Sequence, residues 1–286
     1  MLKCSMHCTH LLACPFCNAS LTQINNTLTC TNSHTFDIAK EGYVNLLRKK
    51  LPGDTKEMLI ARRNFLEQGY YQPLSDTINA LVSTALGPET PPFNILDAGC
   101  GEGYYLGRLQ QRLVNRFPHA QCCYMGLDIS KEAIRMAAKK YKAIQFVVAN
   151  LKERLVFVDS AFHALLNIFA PRNVDEFTRV LVPGGIAIIV IPAPTHLSQL
   201  RSTFHLLNIE ENKQQHVIEQ FSSRFELTDL RTIEYKVRLS QGAMIQAILM
   251  TPNYWHLPGE LKEAAEGIEE METEVGFVCM VFRRHA

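Results

Sequence analysis

The sequence predicts an α/β chain, a doubly wound and mostly parallel sheet preceded by a small metal-stapled module. Three observations predict it. Residues 95–103, Ile-Leu-Asp-Ala-Gly-Cys-Gly-Glu-Gly, lead from two apolar residues through Asp97 into glycines at 99, 101 and 103, and a helical run begins at Tyr104. Gln121–Asp128 reads as the next strand and ends in a second acid. Cys14-Pro-Phe-Cys17 is followed by Cys30 and His34. Strand, tight turn, helix, strand and acid in that order mark a nucleotide-like ligand site at the carboxyl edge of a sheet.

The first element is the metal knuckle. C-x2-C, twelve residues and C-x3-H place four soft ligands at tetrahedral corners, which matches structural zinc on Cys14, Cys17, Cys30 and His34. Leu21–Ile24 and Thr27–Thr29, flanked by Asn18-Ala-Ser20 and Asn25-Asn26, form a small hairpin. So small a module buries little, and metal binding supplies its folding energy. Four protein ligands leave no open position for catalysis at the metal. Upstream, Cys4, His7, Cys8 and His10 offer either a second metal site or a mobile tail, the tail being the expectation.

A basic connector follows. From Lys40 to Arg63 there are seven positive residues (Lys40, Arg48, Lys49, Lys50, Lys56, Arg62, Arg63) against three acids. With Phe36 and Tyr43 beside them they suit RNA phosphates and bases, or form a solvated helix face. An amphipathic helix begins near Thr55. The organisation expected is a zinc-binding RNA-recognition domain over 1–45 (1–13 an extension), a connector over 46–60, and a catalytic domain over 61–286.

The glycine turn defines the catalytic domain. G-x-G-x-x-G would need glycine at 104, where Tyr104 stands, so a dinucleotide is disfavoured. An acid just before G-x-G-x-G resembles the S-adenosylmethionine (SAM) site of class I methyltransferases. Asp97 suits a cationic, amino-acid-bearing cofactor. Gly99 and Gly101 let the backbone approach it. Asp128 accepts from a ribose diol, or else caps the helix that Ser130 and Glu132 announce. Ile144–Ala149 is a third strand, with Asn150 at the adenine edge. Ala161–Ala170 is the fourth, and a helix near Asp175–Val180 follows. Leu181–Gly185 is a turn before the fifth strand, Ile186–Ile191. Residues 198–220 are helical, Arg231–Arg238 is a strand, Gly242–Met250 is a helix ahead of Thr251–Trp255, and Gly276–Arg283 is a final strand. Alternating strands and helices give the parallel sheet.

Bulk properties are those of a globular chain. Its 286 residues suffice for one large and one small domain. No apolar run approaches the roughly 18 residues of a membrane span, and Lys3 with Leu11-Leu-Ala13 lacks a signal peptide's apolar region. A net charge of +1 leaves nucleic-acid partners open. Nine cysteines, five within the first 30 residues, fit a metal site in a reducing cytoplasm better than a disulfide framework.

The combination CPFC, C-x3-H-x-FD-x-AKEGYVNLL, PGD, ARR-x-FL, GYYQPL, LDAGCGEGYY and GLDISK-x-AI closely resembles the bacterial 23S ribosomal RNA guanine-N1-methyltransferases of the RlmA type, from about Cys14 onward. That resemblance implies a class I SAM domain, a zinc-binding domain for RNA recognition, and a cytoplasmic homodimer that presents a cleft to a hairpin of 23S rRNA. It puts the zinc on Cys14, Cys17, Cys30 and His34, and adds cofactor contacts at Tyr71, Gly101, Glu102 and His196. Departures are the short 47–52 segment with Arg48 in place of an expected proline, the 1–13 extension, and Arg172-Asn173 after the Ala-Pro of the fourth strand.

Guanine N1 carries a proton and is a weak nucleophile while neutral. Asp159, Asn167, Arg172 and Asn173, near the fourth strand, are candidates for handling that proton, though none forms a signature. Carbon-5 pyrimidine methylation is disfavoured, because no thiol sits on a substrate-side loop. Exocyclic-amine methylation is disfavoured because Phe169-Ala-Pro-Arg172 is not an Asn/Asp-Pro-Pro-aromatic motif. A small-molecule SAM methyltransferase and an RNA-binding protein with a vestigial SAM fold are the competing readings.

Overall fold

The computed structural model describes residues 8–49, 51–86, 92–118, 122–251, 265 and 267–286. Cys4, His7 and 252–255 lie outside the described residues.

A single 3-10 turn, Thr9–Leu11, opens the described chain. The ribbon's hairpin is β1 (Thr22–Ile24) and β2 (Thr27–Thr29), and β3 (Thr35–Asp37) adds a third antiparallel strand that the sequence pattern did not suggest. Three residues are too few to show a period. Next comes β4 (Tyr43–Asn45), which leaves the ribbon and pairs parallel with β7 at the edge of the large sheet. α1 (Lys56–Glu67) starts where Thr55 accepts from the Met58 N–H, and α2 (Gln72–Ala85) has proline in its first turn.

The region after α2 then alternates as expected. β5 (Asn94–Ala98), α3 (Tyr104–Arg116), β6 (Cys123–Asp128), α4 (Lys131–Lys140), β7 (Gln145–Val148), β8 (Phe162–Ile168), α5 (Val174–Val180) and β9 (Leu181–Pro192) follow in order. The turn expected at Leu181–Gly185 is instead the irregular start of β9. Leu181 pairs with Phe162, Ile186 pairs with Ala164, and Gly184 takes φ +74° between them. The helix expected over 198–220 is broken into α6 (Ser198–Thr203) and α7 (Lys213–Phe221). β10 (Phe225–Ser240), α8 (Gln241–Leu249) and β11 (Glu270–Arg284) finish the chain, both strands longer than their apolar runs suggest.

The sheet order is β10-β11-β9-β8-β5-β6-β7-β4, with parallel pairs throughout except at β11, which is antiparallel to both neighbours. β10 alternates half-buried and exposed positions, and the exposed charges Glu226, Arg231 and Arg238 guard that edge.

Two apolar layers cover the sheet. One holds Phe65, Leu74, Leu106, Ile134 and Phe277 from the helices and strands of one face. The other joins Leu11, Leu12, Leu21 and Leu28 of the ribbon to Leu96, Phe157, Phe162 and Phe221 in one continuous cluster. Ala13 N–H donates to Val156 O (2.9 Å) and Val158 N–H to Leu11 O (3.0 Å), so the ribbon is also hydrogen-bonded to the loop ahead of β8.

Cys8 corrects both the reading of a mobile tail and the expectation that the cysteines serve a metal site rather than disulfides. It is buried and bonded through sulfur to Cys123 on β6, while His10 is exposed. Neither joins a second metal cluster among the described residues.

Candidate functional site: a glycine turn under an acidic cleft

The carboxyl ends of β5 and β6 meet at the glycine turn. Gly99, Gly101 and Gly103 have φ of +95°, +53° and +84°, a region L side chains rarely adopt. At Gly99 space decides as well, since a Cβ there would stand 2.4 Å from that of Ala170.

Asp97 is buried at the end of β5, and its Oδ1 has no hydrogen-bond partner among the described residues. Burial, and then the charges of Asp128 and Glu102, push its carboxyl well above the usual range. Asp128 accepts from two backbone N–H groups, Gly101 (2.9 Å, on Oδ2) and Ser130 (2.8 Å, on Oδ1). It therefore ties the two turns together, while Ser130 caps α4 through the Ala133 N–H. A carboxylate has about four lone-pair sites, so acceptor capacity remains. Burial raises the Asp128 and Glu102 carboxyls too, and for Glu102 the Arg62 charge opposes this.

Arg62 is the cation of this cleft. The sequence grouped it with an RNA-facing basic stretch. The structure places it over the glycine turn, where it pairs with Asp54 at 2.7 Å and donates to Met250 O at 3.0 Å. Its Nη1 lies 3.4 Å from where a Gly101 Cβ would be. Nothing in a lone arginine's sequence context distinguishes that placement.

Tyr71 and His196 meet across 125 residues, with the phenol oxygen 3.0 Å from Nε2. Gly276 N–H donates to Nδ1 at 3.4 Å. A neutral ring that accepts at Nδ1 carries its proton on Nε2 and donates it to Tyr71, which leaves the phenol proton free for another acceptor. Enclosure, and secondarily Arg201, lowers His196 to about 3. Asn150 lies beyond the end of β7, where its side chain fixes the loop by accepting from Lys152 N–H (3.0 Å) and donating to Glu153 (3.0 Å).

The structure separates the proton-handling candidates. Asp159 is exposed and paired with Arg179 at 2.7 Å. Asn173 caps α5 by accepting from the Glu176 N–H. Arg172 donates to Gln220 (3.1 Å). Asn167 alone is buried beside the turn. Its Nδ2 donates to Ala98 O and Pro171 O, both at 2.9 Å, and its Oδ1 has no partner among the described residues. Cys100 is buried with its thiol pushed well up by burial and nearby carboxylates, and Cys123 is bonded to Cys8, so neither is an attacking thiolate.

The four knuckle ligands converge. The three Sγ atoms and one imidazole nitrogen lie within 4.8 Å of one another. Cys17 Sγ is 3.6 Å from Cys30 Sγ, and His34 Nδ1 is 3.4 and 3.5 Å from Cys30 and Cys14. Tetrahedral zinc with bonds of about 2.0–2.3 Å needs edges of roughly 3.5–3.8 Å, so the donor set fits. The ligand spacing and the hairpin between the pairs were legible in sequence.

For SAM the test is the lining. A buried carboxylate with an unused oxygen, a backbone cradle closed to side chains, and a second acid with spare acceptor sites fit a cationic ligand carrying an amine and a diol.

The comparisons agree. A family model described as "RlmA, N-terminal", a zinc ribbon, matches residues 12–56, and one described as "Methyltransferase domain" matches 95–185. A 23S rRNA (guanine(748)-N(1))-methyltransferase of Streptomyces fradiae is 37% identical over 275 residues, covering 94% of this chain and 96% of its own. YxjB of Bacillus subtilis, whose name assigns it provisionally to 23S rRNA guanine-N1 methylation, is 32% identical over 92% of each chain. A solved loganic acid methyltransferase with SAH superposes with a TM-score of 0.57 at 11% identity, over 82% of this chain and 99% of that one, and shows the fold. With a zinc ribbon, a class I SAM-dependent methyltransferase sheet and relatives matched over nearly their whole length, this chain belongs to the 23S rRNA (guanine-N1)-methyltransferase family.

Proposed function

We propose that the protein transfers the methyl group of SAM to N1 of a guanine in a hairpin of 23S rRNA. The observation that carries this reading is the acidic glycine turn, where Asp97 keeps an unpartnered oxygen beside a backbone that has no room for a side chain at Gly99. On this reading Asp97 faces the donor's ammonium, Asp128 its ribose hydroxyls, and Asn150 marks the adenine edge. Gly99, Gly101 and Glu102 form the floor, and Tyr71 and His196 close the far wall. SAM supplies an electrophilic methyl on a sulfonium, and the chain's task is positioning, worth on the order of 7–11 kcal/mol in well-oriented systems.

The ribbon gives the RNA its handle. Phe16 is 57% exposed and its ring stacks on Phe36 at 6.1 Å, beside a groove lined by Arg48 and Arg154. An exposed aromatic plate with cations beside it suits unpaired nucleotides. We further infer a homodimer working in the cytoplasm, the second copy completing the cleft for the hairpin.

The test is methylation of unmodified 23S rRNA by the zinc-loaded protein with labelled SAM. One guanine is expected to be labelled, and guanine 748, the position in the Streptomyces relative's name, is the first to inspect by reverse-transcription stops. Labelling that persists when the guanine is already blocked at N1 would overturn the assignment. Light scattering of the same sample reads the oligomer directly.

A further inference from the structure

Phe169 follows β8 at the carboxyl edge of the sheet, and two of its properties are out of place in a structural phenylalanine. Its backbone is left-handed, with φ +54°. Its side chain is 45% exposed. A non-glycine residue in that conformation costs stability and persists only where its surroundings impose it, which is typical of functional sites.

The surroundings do impose it. Phe169 N–H donates to Val190 O at 3.1 Å. Asn167 Nδ2 bridges Ala98 O and Pro171 O, folding 168–171 back onto the end of β5. Ala170 fills the space over Gly99. The segment is thereby clamped to the glycine turn on one side and to β9 on the other. Its ring is the outer member of an aromatic row, 5.5 Å from Phe277, which lies 4.8 Å from both Tyr71 and His196. The row runs from the Tyr71–His196 pair to solvent.

We propose that Phe169 is the stacking plate for the target guanine, holding the extruded base at the mouth of the cleft with N1 turned toward the methyl donor. An enzyme that alkylates a ring nitrogen engaged in pairing must take the base out of its stack, and an aromatic face replaces the lost stacking without demanding sequence. An exposed ring held by a strained backbone at the end of β8 provides such a face. The strain fixes where the ring stands, at a point where a relaxed residue would turn it elsewhere. The inference rests on the guanine-methylation reading and adds the contact that seats the base.

The backbone strain makes the test decisive. Phe169→Gly removes the ring and relieves the conformation at once. The full-length, zinc-loaded variant is expected to unfold at the same temperature as the parent or higher, and to bind SAM within about twofold of it. Single-turnover methyl transfer to a hairpin RNA should fall about ten- to hundredfold, the stacking of one base. Phe169→Leu, which keeps bulk without a π face, should show a similar loss, and Phe169→Tyr should recover transfer to within a few-fold. Joint loss of thermal stability and SAM affinity in Phe169→Gly would assign the ring to packing and overturn the proposal. So would full transfer by Phe169→Leu. A parent protein that binds SAM yet labels no guanine refutes the underlying reading, and this inference with it.

Discussion

His196 stays neutral across the physiological range, because enclosure beside Tyr71 and Arg201 lowers it to about 3. An exposed histidine in the unfolded chain titrates near 6.5. Below that value the unfolded state takes up a proton that the folded state refuses, so stability is complete above pH 6.5 and declines as the pH falls toward 3. At pH 5 the loss reaches at most about 2 kcal/mol. Asp97, Glu102 and Asp128 act in the opposite sense, since carboxyls raised by burial favour the folded state at low pH. Urea unfolding of the parent and of His196→Gln at pH 7 and pH 5 separates the two. The variant should lose the acid-side destabilisation and leave the carboxylate slope. At this scale legibility was uneven. The strand-end placements of Asp97 and Asp128 were readable because one closes an apolar run ahead of the glycine turn and the other ends the next strand. Tyr71 and His196 came through family resemblance, since no spacing rule joins residues 125 apart. Arg62 was readable only as one charge among seven.

The β5–turn–α3 element was the clearest part of the chain, because an apolar run into an acid, alternate glycines and a helical run each leave a local mark. It is also the least tolerant. Gly99→Ala introduces a Cβ 2.4 Å from Ala170 on a backbone at φ +95°. The clash and the left-handed conformation together should cost about 3 kcal/mol or more. Thermal unfolding should show the loss, and SAM titration should show affinity falling with it, since the displaced segment carries the end of β8. Gly184→Ala is the contrast, with positive φ but nothing within 4 Å, and should cost only about 1 kcal/mol. Elements the sequence missed fail for physical reasons. β3 and β4 are three residues each. The break between α6 and α7 carries no proline or glycine, and His205 adopts φ +50° within it. β10 and β11 extend past their apolar runs because pairing between them, rather than burial, sustains their ends.

At the scale of the molecule, zinc and core belong together. Leu11, Leu12 and Leu28 of the ribbon share one apolar cluster with Phe157 and Phe162 of the catalytic sheet, and Cys8 is bonded to Cys123. Removing the metal should therefore lower the main unfolding transition, by about 5 kcal/mol or roughly 10–20 °C, rather than melt a separate appendage. Calorimetry before and after chelation, with metal analysis expected to give one zinc per chain, checks this. An unchanged main transition would mean that the shared cluster contributes little. The mostly parallel character of the sheet was foreseeable from alternating elements. The covering of one face by the ribbon was not, because it depends on contacts between Leu12 and Phe157 that no local pattern encodes.

The edge strand β4 has a consequence during synthesis. Tyr43–Asn45 leaves the ribosome about a hundred residues before its partner β7. Through that interval the nascent chain carries a strand whose parallel partner has yet to be made, held only by the Ile38–Val44 bridge to a segment that already has its cysteines and histidine in hand. Early metal capture gives the leading segment a folded anchor while it waits, and arrival of Gln145–Val148 closes the edge. The sheet thus grows outward from β5 and β6, with β4 closing one edge as β7 emerges and β10 and β11 closing the other at the end of synthesis.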